Sequence, residues 1–216
     1  MAWFFEDRTK EARDKAVAEK KAELHNLTEN LRNFLKDNRV PGYCADNLIA
    51  VGRNMGFTKN KRFLQSVQGS VRETHDVKKI WRLHIYSWAC RTALSVPGDM
   101  VECGVYRGLY VDSAIKFLGP DSFADREFYL YDSFSGLDPR YSTQVEIAWV
   151  NTNKANFEEN GLEEEVRKRF NAYNWVKVVK GIVPDILHKE APASIAFLHL
   201  DLNAGEAETR ALDILY

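Results

Sequence analysis

The sequence predicts an α/β protein: a parallel, Rossmann-like sheet wound by right-handed βα crossovers and preceded by an all-helical N-terminal extension. Three observations carry this. After Pro97, short apolar runs without alternation recur, each followed by helical periodicity, as expected of strands covered on both faces. One such run, Met100 to Cys103, leads into a turn bearing Gly104 and Gly108 before a helix starts. Before Pro97, apolar residues keep a three-and-four spacing, so helices alone are expected there. The chain therefore divides into a helical extension, residues 1–96, and a Rossmann-like domain, residues 97–216.

From about Glu6 to Asn38 the sequence is rich in Ala, Glu, Lys and Arg, with Leu24, Leu27, Leu31, Phe34 and Leu35 forming an apolar stripe. Val40-Pro41-Gly42 ends this helix, because Pro disfavours helical geometry in the residue before it. A second helix is read from Ala45 to Met55. A third starts with Asp76 as its cap and presents Val77, Ile80, Trp81, His84, Ile85, Trp88, Ala89 and Ala93 as one wide apolar face, stopped by Pro97-Gly98. The domain then alternates: strands at Met100–Cys103, Phe128–Tyr131, Val176–Val179 and Ile195–Leu200, with helices from about Leu109 to Leu118, Thr152 to Tyr173, Pro184 to His188 and onward from Glu206. The segment from Asp138 to Trp149 reads as a loop long enough to cover a substrate. Trp81, Trp88, Trp149 and Trp175 read as packing residues. The sequence stops within a helical pattern at Leu212–Tyr216, so the sheet reads as lacking its last strands.

Composition excludes several classes. The 30 Lys and Arg nearly cancel the 31 Asp and Glu, leaving no global field to gather nucleic acid or anionic lipid. No segment reaches the roughly 18 apolar residues of a spanning helix, and Met1 to Phe5 is followed at once by Glu6, Asp7 and Arg8, so no signal peptide or membrane span is expected. The cysteines, Cys44, Cys90 and Cys103, are odd in number and lack C-x-x-C spacing, which argues against a disulfide framework or a zinc site and for the reducing cytoplasm.

The stretch from Gly98 to Gly108 carries the chemistry. A strand, a glycine-bearing turn and a helix let the backbone lie against a nucleotide-like ligand, and Gly104 and Gly108 stand where a Cβ would obstruct close approach. Glu102, at the strand end, offers acceptors to a cationic or hydroxylated ligand. A phosphate cradle would call for a Lys, so an adenosyl cofactor is expected. With Pro97–Gly108, the segments Phe128-Tyr129-Leu130-Tyr131-Asp132-Ser133-Phe134-Ser135-Gly136-Leu137, Val178–Asp185 and Ala196-Phe197-Leu198-His199-Leu200-Asp201-Leu202-Asn203 complete a set of four motifs at βα edges. In this order they resemble the macrocin O-methyltransferase family of S-adenosylmethionine-dependent enzymes, in a subgroup with a helical extension.

The resemblance implies a class I methyltransferase sheet, S-adenosylmethionine as cofactor and a small-molecule methyl acceptor, a sugar or secondary metabolite with a free hydroxyl. Asp132 is then expected to hold both ribose hydroxyls. Ser133 and Phe134 would wall the adenine, with Gly181 and Ile182 on its other side. Glu102, Gly104, Val105, Tyr106 and Gly108 would surround the methionine part. Leu109 and Tyr110 stand where many relatives carry a small hydroxyl residue. Asp201 sits where the family's motif places a metal-binding and proton-accepting acid, which makes it the leading candidate both for catalysis and for Mg²⁺. Relatives with the clearest metal site have a second Asp where this chain has Asn203, so a carboxylate and an amide make a poor magnesium site. His199, two residues before Asp201 on the same face of the strand, reads as a core histidine ahead of a general base. The N-terminal helices are available to cover the cofactor or pair subunits. Two rivals are a nicotinamide-dependent dehydrogenase, disfavoured because Tyr106 stands where G-x-G-x-x-G needs glycine, and a non-catalytic or truncated methyltransferase-like module used for binding or assembly.

Overall fold

A computed structural model describes residues 10–46, 48–152 and 161–216. The chain forms two compact units, residues 1–59 and 60–216.

In the first unit, helix α1 (Lys10–Asp37) is followed by strands β1 (Gly42–Ala45) and β2 (Leu48–Val51), which pair antiparallel. The helix stops where Arg39 takes a left-handed φ of 54°, and the Val40 amide then bonds back to the Leu35 carbonyl at 2.9 Å. Leu35 is buried and fills the space beside Gly42, while the Arg32 guanidinium reaches the Cys44 carbonyl. Leu24, Leu27 and Phe34 stay exposed. The helix expected from Ala45 to Met55 is instead the second half of this hairpin. Leu48, Ile49, Ala50 and Val51 alternate in burial with period two, and Gly52, at φ 64°, ends the strand. Among the described residues before Pro97, one hairpin thus interrupts the helices that were expected.

In the second unit, Asn60 caps α2 (Lys61–Ser70) by accepting the Phe63 amide at 3.1 Å. A 3-10 turn at Asp76–Lys79 leads into α3 (Ile80–Ala93). Asp76 does not cap α3. Its Oδ2 turns back to accept the amides of Arg72 and Glu73, each at 3.1 Å, and Oδ1 accepts Lys79 Nζ at 3.1 Å. The face of α3 that packs is also different: Leu83, Tyr86, Ser87, Cys90 and Ala93 are buried, whereas Val77, Ile85 and Trp88 are exposed. Because the helix is apolar nearly all round, spacing could not choose its inner face.

The sheet matches the expectation strand by strand. Strands β3 (Asp99–Cys103), β4 (Phe128–Asp132), β5 (Val176–Lys180) and β6 (Ile195–Leu200) pair parallel in the order β5-β4-β3-β6. They alternate with α4 (Leu109–Leu118), α5 (Gln144–Thr152), α6 (Leu162–Phe170), α7 (Leu187–Glu190) and α8 (Gly205–Leu215). One face of the sheet, with Met100, Phe128, Leu130 and Phe197, packs with residues of α3, α4 and α6; the other, with Val101, Cys103, Tyr131 and Val179, packs against α7 and α8. Helix α5 lies where a loop was expected. Its start is a capping box, in which Thr143 Oγ1 accepts the Glu146 amide at 3.2 Å and Glu146 Oε2 accepts the Thr143 amide at 2.6 Å. The helix expected from Thr152 to Tyr173 is α6 in its later part; residues 153–160 lie outside the described residues. Trp175 stacks on Phe123, whereas Trp88 and Trp149 are exposed. All three cysteines are free, and no described helix is long and apolar enough to cross a membrane.

Winding from β3 through β4 to β5 runs one way across the sheet, and β6 returns to the other side of β3. The strand order therefore reverses between β3 and β6, and open sheets bind ligands at the carboxyl ends of strands beside such a reversal.

Candidate active site

A cavity of about 250 Å³ opens at that reversal. Its walls come from the turns after β3, β4, β5 and β6 and from the connection between α2 and α3.

The turn after β3 fits only because Gly104 lacks a Cβ. At φ 92°, a Cβ there would lie 2.7 Å from the Asp201 carbonyl carbon and closer still to its oxygen. The Asp201 amide in turn bonds the Cys103 carbonyl at 2.9 Å, so the ends of β3 and β6 touch at this glycine. Beyond it the chain is strained in a consistent way. Tyr106 after β3, Phe134 after β4 and Asn203 after β6 take left-handed φ values of 50°, 51° and 56°, a conformation that costs a non-glycine residue roughly 1–2 kcal/mol.

Asp132 holds two of these three in place. Its Oδ2 accepts the amides of Val105 and Tyr106 at 2.7 and 2.8 Å, and Oδ1 accepts the Phe134 amide at 2.7 Å. A carboxylate has about four acceptor positions. Three are filled, leaving one on Oδ1, so the two-oxygen grip on a ribose expected from sequence is not free to form in this geometry.

Of the expected cofactor residues, Gly104, Val105, Tyr106, Asp132, Ser133 and Ile182 line the cavity, and Asp201 joins them. Four do not. Glu102 is fully buried, and its Oε2 accepts the Tyr86 hydroxyl instead of facing the cavity. Gly108 serves packing: a Cβ there would come within 2.6 Å of the Phe170 ring. Phe134 is a core residue, because its left-handed backbone turns the ring into the cluster with Val105, Leu162 and Phe170. Gly181 bonds its amide to the Asp132 carbonyl at 2.9 Å and is covered by Ile186.

His199 packs edge-on to Tyr86, with its Nδ1 3.6 Å from Glu102 Oε2. Burial pushes its pKa down, and the Glu102 carboxylate, together with Asp201 and Glu208, more than offsets this, leaving the imidazole above its ordinary value. Its ring centroid lies 5.3 Å from that of Tyr110, which lines the cavity, and its side chain is half-buried.

The cavity also contains residues that no motif announced. Glu73, Asp76 and Lys79 come from the α2–α3 connection and Arg82 from the first turn of α3. Glu73 Oε1 accepts the Tyr106 hydroxyl at 2.9 Å and stands 3.6 Å from Arg107 Nε. From the segment read as a covering loop come Asp138, Tyr141 and Ser142. Tyr141 donates to Asp185 Oδ1 at 2.5 Å and Glu146 Oε1 accepts the Gly205 amide at 2.8 Å, so this segment is tied down at both sides of the cavity.

Asp201 differs from the other acids of the cavity. Glu73, Asp76, Asp132 and Asp138 all carry hydrogen bonds from protein groups; the Asp201 carboxylate has none among the described residues. Around it the described residues form no group of three acidic, thiol or imidazole ligands. The one such grouping, Glu73, His75 and Asp76, already bonds Tyr106, Lys79 and two amides. One carboxylate and the neighbouring Asn203 do not make a magnesium site by themselves.

The sequence profile of the macrocin-O-methyltransferase (TylF) family matches residues 82–216, more than half of the chain. The solved structure of the O-methyltransferase NovP is similar at a TM-score of 0.54 and 26% identity, covering 63% of this chain and 60% of NovP. That of the calicheamicin methyltransferase CalS11 aligns at a TM-score of 0.48 and 17% identity, over 76% of this chain and 74% of its own. The chain thus spans about three fifths of the length of NovP. No curated protein sequence matches it significantly. With its four βα edges in register and the profile running from α3 to the end of α8, the chain belongs to the macrocin-O-methyltransferase family.

Proposed function

We propose that the protein is an S-adenosylmethionine-dependent O-methyltransferase acting on a hydroxyl of a small polar molecule, a sugar or sugar-bearing secondary metabolite. The observation that carries this is the Asp201 carboxylate, without a hydrogen bond among the described residues, on the wall of a cavity whose other acids each accept at least one.

The residues present fit the cofactor. The remaining acceptor position of Asp132 Oδ1 suits one ribose hydroxyl, Ile182 and Leu137 offer apolar surface to an adenine, and the backbone of Gly104, Val105 and Tyr106 borders the cavity without an intervening Cβ at Gly104. S-adenosylmethionine, when bound, supplies a methyl group electrophilic enough for direct displacement. The work left to the chain is alignment and proton removal. Asp201 accepts the proton of the acceptor hydroxyl as its oxygen forms the new bond to carbon, while the electrons of the breaking bond leave with sulfur. Tyr110 and the strap at Tyr141 and Ser142 border the space and limit water. No step is assigned to a metal, since the donors around Asp201 do not form a set for one.

Calorimetry with S-adenosylhomocysteine tests the cofactor, and transfer of a labelled methyl group to glycosides tests the reaction. Saturable heat and an Asp201-dependent transfer support the reading. Heat without transfer favours the non-catalytic module, and a folded chain giving neither overturns both.

A further inference from the structure

The strand order divides the cavity. The ends of β4 and β5, with Asp132, Ser133 and Ile182, stand on one side of the turn after β3, and the end of β6, with Asp201 and Asn203, stands on the other. The cofactor reading puts ribose and adenine on the first side. The hydroxyl that Asp201 serves therefore belongs on the second, and the molecule carrying it needs a surface there to hold it in line.

One aromatic ring supplies that surface. Tyr110, in the first turn of α4, lines the cavity, and its ring centroid lies 5.3 Å from that of His199, which stands on β6 two residues before Asp201. The same ring lies 5.3 Å from Tyr86. Tyr86 is itself held in place: its hydroxyl donates to the buried Glu102 carboxylate, and its ring meets Phe197 and His199 edge-on at 5.1 and 5.0 Å. Phe197 continues the run of rings to Phe128 in the core, at 6.4 Å. Tyr110 is thus the cavity end of a line of packed aromatic side chains that begins inside the sheet. A ring supported in this way loses little freedom when something is laid on it, which is what a binding platform requires.

The chemistry of the platform favours a ring as its partner. An aromatic face is negative at its centre and attracts the positive C–H edge of a saturated ring or an offset second aromatic ring. An open-chain polyol offers no such flat set of atoms. Leu202, Ala204 and Ala207 add apolar surface on the same side, with Asp201 beside them. We infer that Tyr110 is the platform of the acceptor subsite, and that the hydroxyl to be methylated is carried on a ring whose apolar face stacks against it. This rests on the methyl-transfer reading above and assigns Tyr110 a specificity role separate from cofactor binding.

The test uses the full chain saturated with S-adenosylhomocysteine. Saturation-transfer NMR titrations compare methyl β-D-glucopyranoside, catechol and D-glucitol, that is, a saturated ring, a planar ring and an open chain, all bearing hydroxyls. One of the two rings should bind at least about tenfold more tightly than the open chain, and its identity tells a sugar acceptor from a phenolic one. Tyr110→Phe keeps the aromatic face and should hold that ring's affinity within about twofold. Tyr110→Leu keeps apolar bulk without the face and should lower it about tenfold, with S-adenosylhomocysteine affinity within about twofold in both variants. Protons of the bound ring should also shift upfield on the parent and on Tyr110→Phe and lose that shift on Tyr110→Leu, a ring-current signature that a packing role would not produce. Equal binding of the open chain, silence from all three probes, or a Tyr110→Leu variant that binds the ring as tightly as the parent overturns the inference, as does a Tyr110→Phe variant that loses the ring as Tyr110→Leu does. A tenfold loss of S-adenosylhomocysteine affinity in Tyr110→Leu assigns the ring to the cofactor instead. Failure of the unsubstituted, folded chain to take up S-adenosylhomocysteine overturns the methyl-transfer reading itself, and this inference with it.

Discussion

Asp132 Oδ2 accepts the backbone amide of Tyr106 at 2.8 Å, so the acid that ends β4 holds the strained turn that follows β3. The same carboxylate pins Phe134 through its other oxygen, which makes one side chain the keystone of two left-handed residues. Its structural role therefore precedes any role toward a ligand.

Asp132→Asn is expected to lose at least one of these charge-assisted bonds, because an amide nitrogen must face a backbone N–H in either orientation. The cost is about 1.5–3 kcal/mol of stability, with a drop of about tenfold in S-adenosylhomocysteine affinity as the turn loosens. Urea denaturation and calorimetry check the two together. Retention of both stability and affinity would contradict the keystone assignment.

Gly104→Ala and Gly161→Ala form a matched pair. Both glycines have left-handed φ, 92° and 87°, but a Cβ at Gly104 meets the Asp201 backbone whereas no atom of the described residues lies within 4 Å of one at Gly161. Gly161→Ala should cost only the conformational term, about 1–2 kcal/mol. Gly104→Ala should cost more than about 4 kcal/mol or leave no folded chain. Equal urea midpoints for the two variants would show that β3 and β6 are not in contact there.

The pair of Asp112 and Arg169 gives the acid dependence of stability. Both side chains are buried, at 2.8 Å, and Arg169 also reaches the carbonyls of Arg107 and Ser70, tying α6 to the glycine turn. Burial pushes the Asp112 carboxyl up, but the Arg169 guanidinium and Lys116 more than offset this and hold it below its ordinary value of 3.8. A folded-state pKa below the unfolded one means stability fully present above the unfolded value and lost as the pH falls through the folded one. Asp112→Asn should therefore cost about 3–5 kcal/mol at pH 7, and the gap to the unsubstituted chain should narrow as the pH drops below 3.8. Urea titrations at neutral and acid pH measure it; a gap independent of pH would remove the ion pair from the account.

Asp201→Asn should lower the rate of methyl transfer by about 10²–10⁴-fold, leaving S-adenosylhomocysteine affinity within about twofold. Initial rates with a labelled methyl donor decide this. A variant as fast as the parent would leave the cavity without a proton acceptor.

How much of this was legible depends on the range of the interaction. The strands at Met100–Cys103, Phe128–Tyr131, Val176–Val179 and Ile195–Leu200 were readable because a run covered on both faces is apolar at every position. The start of helix α5 is also written locally, since Thr143-Gln144-Val145-Glu146 is a capping box. The hairpin of β1 and β2 was hidden by shortness, since four residues satisfy either period. The α3 face was hidden by excess, since Ile85 and Trp88 are as apolar as Leu83 and Tyr86 yet point outward.

By itself the sequence determined the order of the βα units, the edge of the sheet where the cavity opens, and the presence there of Gly104, Asp132 and Asp201. Tertiary structure alone decided how those residues are used. Gly104 is required by a backbone oxygen of Asp201, Asp132 gives three acceptor positions to the amides of Val105, Tyr106 and Phe134, Glu102 gives one oxygen to the Tyr86 hydroxyl, and Glu73 and Lys79 are carried into the cavity from a connection without a motif. The reason is physical. Backbone conformation follows from local sterics and periodicity, which neighbours in sequence encode, but the availability of a polar atom depends on which distant group has already satisfied it.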